Sequence, residues 1–143
     1  YGVSTHRHMP EIEQGLSEAA GEPVAVTFTP HLVPMNRGIL ATVYVQLVDS
    51  AEPEDLQKAL ERCYLDEPFV RVLPFKSLPA TRHVRGTNLC HIAVHPGRLP
   101  GRAILLSVTD NLVKGASGQA LQNMNVMLGL AENEGLEQAP LFP

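Results

Sequence analysis

Two apolar runs, Asn88 to His95 and Arg102 to about Val113, are separated by Pro96-Gly-Arg-Leu-Pro-Gly101. Prolines and glycines at that density continue neither a helix nor a strand, so the two runs are predicted to fold back on each other as a β-hairpin. Side chains alternate along a strand, which puts Cys90, Ile92 and Val94 on one face and His91, Ala93 and His95 on the other. The second half of the chain is thereby committed to a sheet.

The remaining elements are arranged around that sheet. Met9 to Gly21 reads as a helix: Pro10 suits its start, Glu11 and Glu13 suit the positive end of its dipole, and Ile12, Leu16 and Ala19 recur at helical spacing. Val24 to Thr29 is rich in β-formers, and Ile39 to Val48 alternates, so both are predicted strands, joined by the Pro30 to Gly38 segment. A second helix is predicted from Pro53 to Tyr64, with Leu56, Leu60, Cys63 and Tyr64 as its apolar stripe and Cys63 therefore in the core. Phe69 to Leu73 is a short strand. A last helix runs from about Ala116 to Leu130 with Leu121, Met124 and Leu128 on one face, before the tail Pro140-Leu-Phe-Pro143. Helices and mainly hairpin-connected strands in one chain of 143 residues fit an α+β domain, an antiparallel or mixed sheet with helices on one face. Val24 to Thr29 and Ile104 to Val108 are apolar on both sides, as expected of a sheet that meets a partner subunit or is simply covered by its own core.

Composition narrows the function. The chain has 44% hydrophobic and 18% charged residues, the balance of a globular domain. No run approaches the roughly 18 apolar residues a membrane-spanning helix needs. A formal net charge of −4 leaves no footprint for nucleic acid or an anionic membrane. Two cysteines, Cys63 and Cys90, are too few for a disulfide framework, which favours a reducing, cytoplasmic setting. The chain starts at Tyr1 with no targeting segment and reads as though it begins in mid-domain.

Two stretches carry candidate chemistry. In an extended His6-Arg7-His8, the two imidazoles point the same way and suit proton transfer, while Arg7 offers a fork for a carboxylate or phosphate. The same pair reads equally well as surface residues or helix caps. No third ligand is identifiable, so no metal is expected. His83, His91 and His95 read as loop or half-exposed strand histidines, and His31 stands in a stiff, proline-flanked loop. The second stretch is Asp110-Asn-Leu-Val-Lys-Gly-Ala-Ser-Gly-Gln119, where Gly115 and Gly118 flank a helix start whose free N–H groups favour an anion, with Lys114 and Ser117 as further donors. A tightly packed strand-to-helix turn is the alternative.

Taken together, His6-Arg-His-Met-Pro-Glu-Ile12, Phe28-Thr-Pro-His-Leu-Val-Pro-Met-Asn-Arg-Gly38, Asn111-Leu-Val-Lys-Gly-Ala-Ser-Gly-Gln-Ala120, Gln122-Asn-Met-Asn125 and Pro140-Leu-Phe-Pro143 resemble the N-acetyl-gamma-glutamyl-phosphate reductases of arginine biosynthesis. The resemblance covers nearly the whole chain but only the C-terminal part of such an enzyme. It implies a glyceraldehyde-3-phosphate dehydrogenase-like C-terminal domain, with residues 1–115 as the catalytic and dimerisation domain. Residues 116–143 would then be a helix and tail that pack on an N-terminal Rossmann domain. It implies an acyl phosphate substrate, NADP held mainly by that Rossmann domain, and a nucleophilic cysteine outside this chain, since neither Cys63 nor Cys90 stands in the family's nucleophile motif. It further implies His6, with His8 close behind, as general acid/base, Arg7 and Glu11 as substrate contacts, and Lys114, Gly115, Ala116, Ser117, Gly118 and Gln119 approaching NADP. A homodimer or homotetramer in the cytoplasm is the expected assembly. The alternatives are the related reductase of lysine biosynthesis that acts on a carrier-linked aminoadipyl phosphate, which the negative charge disfavours, and a non-catalytic oligomerisation or binding module.

Overall fold

The computed structural model describes residues 1–48 and 50–141, in the order α1 (His8–Ala20), β1 (Ile39–Gln46), α2 (Pro53–Cys63), β2 (Val70–Val72), β3 (Cys90–Pro96), β4 (Arg102–Thr109) and α3 (Gly118–Met127). A 3-10 turn at Thr81–His83 precedes β3, and a π-helical turn at Val113–Ser117 leads into α3. Of the tail motif, Phe142 and Pro143 lie outside the described residues. The chain divides into two compact units, residues 1–35 and residues from Asn36 onward. The expected boundary at 115/116 falls inside the continuous helical stretch of the second unit.

In the first unit, α1 starts at His8, two residues ahead of Pro10, and stops at Gly21, whose φ of 73° and N–H bond to the Ser17 carbonyl make a left-handed cap. The predicted strand at Val24 to Thr29 does not form. The segment keeps a strand's alternation, with Val24, Val26 and Phe28 half-buried and Ala25, Thr27 and Thr29 exposed. Its amides at Val24 and Val26, however, go to α1 side chains, Ser17 Oγ at 2.9 Å and Glu13 Oε1 at 3.1 Å. Competition from local side-chain acceptors has replaced a ladder. No residue from 1 to 35 is fully buried, as expected of a piece too short to enclose a core.

The second unit holds a mixed four-stranded sheet in the order β1-β4-β3-β2. The hairpin forms as expected: β3 and β4 pair antiparallel, Cys90 opposite Thr109 and Pro96 opposite Ala103, and the Gly97 N–H closes the turn on the Arg102 carbonyl at 2.8 Å. β4 ends at Thr109, four residues short of the predicted Val113, because Asp110 caps the next turn. β1 pairs antiparallel with β4, and β2 lies parallel to β3. The core is formed by Phe69, Val84, Ala93, Val94, Ala103, Val108 and Leu136. β1 occupies the sheet edge and leaves Ile39, Leu40, Val43 and Tyr44 exposed.

In α2 the inward stripe is Pro53, Leu56, Gln57, Leu60 and Tyr64; Cys63 is exposed, which corrects its assignment to the core. At 100° per residue, Cys63 falls well off the line through Pro53, Gln57 and Tyr64. Gln57 takes the buried position because its amide has a partner, donating to the Leu73 carbonyl at 3.0 Å.

One buried carboxylate ties these pieces together. Asp110 accepts from the Gly86 N–H at 2.6 Å, from the Leu112 and Val113 N–H groups at 2.8 and 3.1 Å, and pairs with Arg37 Nε at 3.0 Å. Burial pushes the carboxyl up, but these donors outweigh it and hold Asp110 below the ordinary carboxylate value. A depressed value means stabilisation that is complete above the unfolded pKa and lost as pH falls through the folded one. Asp110→Asn is expected to cost about 3–5 kcal/mol at neutral pH, the range for breaking a buried charge pair. Urea unfolding of both proteins across acid pH checks this, with the variant expected to lose less stability on acidification than the wild type.

Candidate functional site

The first constellation lies in the first unit. His6, Arg7 and His8 are not extended: Arg7 has φ −57° and ψ −25°, and His8 is the first residue of α1. The imidazoles still meet, with centroids 4.9 Å apart and planes at 74°. The contact forms because His6 Nδ1 accepts the His8 backbone N–H at 3.2 Å, so His6 caps the helix as well as facing its neighbour. Phe28 and Tyr1 each stand edge-to-face to the His6 ring at 5.3 Å. An acceptor role for Nδ1 puts the hydrogen of the neutral ring on Nε2, so His6 keeps one donor there. His8 is exposed and its ring nitrogens carry no hydrogen bond among the described residues. Arg7 and Glu11 are exposed, and Glu11 follows His8 by three residues on the same side of α1.

The second constellation lies in the second unit and departs from its sequence reading. The helical stretch begins at Val113, two residues ahead of Gly115, with the Leu112 and Val113 amides held by Asp110 Oδ1. The N–H groups of Gly115, Ser117 and Gly118 bond to the carbonyls of Asp110, Leu112 and Val113. They are therefore taken, and the anion-binding helix start expected at Gly115 to Gly118 is not present there. Gly115, Ala116 and Ser117 form an exposed run of small residues, Gln119 is half-buried and bonds to Asn123, and Gly118 is buried.

Lys114 turns inward. Its Nζ donates to Gln122 Oε1 at 2.7 Å and lies 5.5 Å from the centre of the Phe69 ring. Burial lowers its pKa, with Cys90, Glu132 and Glu67 acting in the opposite direction. Gln122 Oε1 also accepts from Asn88 Nδ2 at 2.8 Å, Gln122 Nε2 donates to Glu132, and Asn125 Nδ2 holds the carbonyls of Glu132 and Glu134. Sequence reasoning missed Asn88 and Glu132. The signal for the helix partners was present, since Gln122 and Asn125 share a face at a spacing of three residues.

The other candidates are scattered. His31 is exposed; His95 Nε2 lies 2.8 Å from the Ser77 carbonyl; His91 is half-buried, and burial, then His83 and Arg71, lower its pKa. Cys90 Sγ lies 3.5 Å from Ser107 Oγ, and among the described residues neither cysteine is hydrogen-bonded to a histidine. No cluster of three or more His, Cys, Asp or Glu suited to a metal occurs among the described residues. No helix among them is long and apolar enough to cross a membrane.

Residues 1–111 match the family described as semialdehyde dehydrogenase, dimerisation domain. Among curated proteins, the whole chain is 63% identical to an N-acetyl-gamma-glutamyl-phosphate reductase of Rhodospirillum rubrum, covering 41% of that relative. It is 60% identical to the protein of that name in Nitrosospira multiformis, again over 41% of its length, and 58% identical to that of a Geobacter species, over 42%. The chain thus spans about two fifths of the length of these relatives, matching their C-terminal part.

The two glycines of the second constellation separate experimentally. A Cβ on Gly118 would meet Val113 Cγ1 at 2.6 Å, the Val113 carbonyl at 2.8 Å and the buried Asn88 Oδ1, whereas one on Gly115 meets nothing nearer than the Asp110 carbonyl at 3.5 Å. Gly118→Ala is expected to cost about 1–3 kcal/mol through overpacking. Gly115→Ala, which only gains helix propensity, is expected to be neutral or to stabilise by up to about 1 kcal/mol. Urea melts of the two variants check the contrast.

Proposed function

The chain belongs to the semialdehyde dehydrogenase dimerisation-domain family, and from that premise we propose that it is the C-terminal substrate and dimerisation part of an N-acetyl-gamma-glutamyl-phosphate reductase. The whole enzyme would convert the acyl phosphate to N-acetylglutamate 5-semialdehyde and phosphate, in the cytoplasm. The observation that carries this reading is the match along the entire chain at 63% identity to a protein of that name.

Such a reaction needs a thiolate to displace phosphate, a hydride donor and a proton relay. The thiol in this reading is supplied from outside these 143 residues, since neither Cys63 nor Cys90 is hydrogen-bonded to a histidine among the described residues. NADPH, when bound, supplies the hydride. What residues 114–119 offer it is a small-residue surface at Gly115, Ala116 and Ser117, which suits the face of a planar ring; the amides of Gly115, Ser117 and Gly118 are bonded and Lys114 is turned to Gln122, which leaves little for phosphates. The phosphates would be held by the Rossmann domain.

The histidine pair divides the proton work. His6 Nδ1 is occupied by the His8 N–H, so the neutral ring keeps Nε2–H, a donor that would stabilise negative charge developing on the substrate's carbonyl oxygen. His8, exposed and with free ring nitrogens, takes the thiol proton and later returns one. In this reading His8 is the base and His6 the donor to the oxyanion. Arg7 and Glu11, exposed beside the pair, would order the substrate's charged groups.

Assembly follows from the apolar surface. The edge strand β1, with Ile39, Leu40, Val43 and Tyr44 exposed, supports a homodimer or homotetramer built through the sheet. α3 buries Gly118, Gln122 and Asn125 and exposes Met124, Val126, Met127 and Leu128, the face that would meet the Rossmann domain.

In the complete protein, His8→Asn is expected to lower kcat/KM for acyl phosphate reduction by about 10²–10⁴, the range for a general base. His6→Asn should lower it by about 10² or more, as for loss of an oxyanion donor. Steady-state rates across pH decide, and unchanged kcat/KM in both variants would sink the reading.

A further inference from the structure

The segment from Val24 to Phe28 has the composition of a strand but is spent on α1. Two amides clamp it: Val24 N–H to Ser17 Oγ at 2.9 Å, and Val26 N–H to Glu13 Oε1 at 3.1 Å. Glu13 serves twice, because its own carbonyl accepts the Ser17 hydroxyl at 2.6 Å, which turns the other side of that oxygen to Val24. Both clamps fall on residues of one parity, so the next residue of that parity, Phe28, is turned the same way along the extended chain. Its ring meets His6 edge-on, with centroids 5.3 Å apart and planes at 66°. On the remaining sides the imidazole has Tyr1 at 5.3 Å, His8 at 4.9 Å and Gly2, where an added Cβ would come within 3.1 Å of His6 Cδ2.

We infer that Phe28 is a positioning residue for His6, held in place by the Glu13 and Ser17 clamps on α1. The inference rests on the proposed catalytic role of the histidine pair. The His6 ring is fixed at one end by the single bond from His8 N–H to Nδ1, which leaves rotation about that bond open. An aromatic edge against the ring face closes that freedom without competing for Nε2. Glu13, unlike Glu11, is half-buried, and its carboxylate accepts a main-chain amide of the Val24 to Phe28 strap.

The test is a pair of variants at each end of the strap in the complete enzyme. Edge-to-face pairs contribute about 0.5–1.5 kcal/mol, so Phe28→Leu is expected to lower kcat about two- to tenfold while KM stays within about twofold. Phe28→Tyr keeps the ring and should stay near the wild-type rate. Glu13→Ala should lower kcat in the same way, and Glu13→Gln, which retains Oε1, should restore it. If Phe28→Leu is insoluble, the Glu13 pair alone decides. Unchanged kcat in Phe28→Leu and Glu13→Ala, beside an impaired His6→Asn, overturns the positioning role. So does a loss that appears equally in KM and melting temperature, or that the conservative variants do not restore. An unimpaired His6→Asn marks failure of the underlying catalytic reading instead.

Discussion

The second unit is organised by a charge that no water reaches. Asp110 sits at the end of β4, fully buried, and draws donors from segments far apart in the chain: Arg37 ahead of β1, Gly86 ahead of β3, and the first amides of the helical stretch behind it. An unpaired carboxylate there would be prohibitively costly, so the fold must bring these donors together before it can close. The neighbouring Asn111 adds a bond from its side-chain oxygen to the Gly38 N–H at 2.7 Å, which sets the start of β1 against the same corner. The strand order and the helix start are therefore fixed by one cluster of polar bonds.

A second polar cluster explains the inversion of α3. Its inward face carries Gln122 and Asn125, tied to Asn88, Lys114 and the backbone of the Glu132–Glu134 loop, while methionines and leucines face outward. The polar side of α3 is thus satisfied inside, while Met124, Val126, Met127 and Leu128 stand exposed. The same cluster accounts for Lys114, a residue whose charge suggests an outward ligand but whose amine is engaged within the unit.

Legibility from sequence followed the range of the forces involved. The hairpin at Pro96 to Gly101 and the span of α2 rest on local turn chemistry and helical spacing, and both formed within a residue or two of expectation. The segment at Val24 to Thr29 failed because a strand is defined by its partner, and Glu13 and Ser17 supplied acceptors first. Cys63 was misplaced because four apolar positions on a short helix do not say which edge of the stripe turns inward. At the candidate site, the pairing of His6 with His8 was readable from spacing on an extended segment, whereas the contact forms at the start of α1, where the His8 N–H bonds to His6 Nδ1.

By itself the sequence determined the α+β class, the placement of most elements and the family, because these depend on periodicity, turn residues and ordered motifs that are properties of neighbouring positions. Only the tertiary structure decided which nitrogen of His6 accepts a bond, that the amides of Gly115, Ser117 and Gly118 are bonded within the chain, that Lys114 points inward, and that Met124, Val126, Met127 and Leu128 are exposed. Each of those outcomes depends on which distant group reaches a polar atom first as water is excluded. That competition is settled in three dimensions, between residues that have no fixed spacing along the chain.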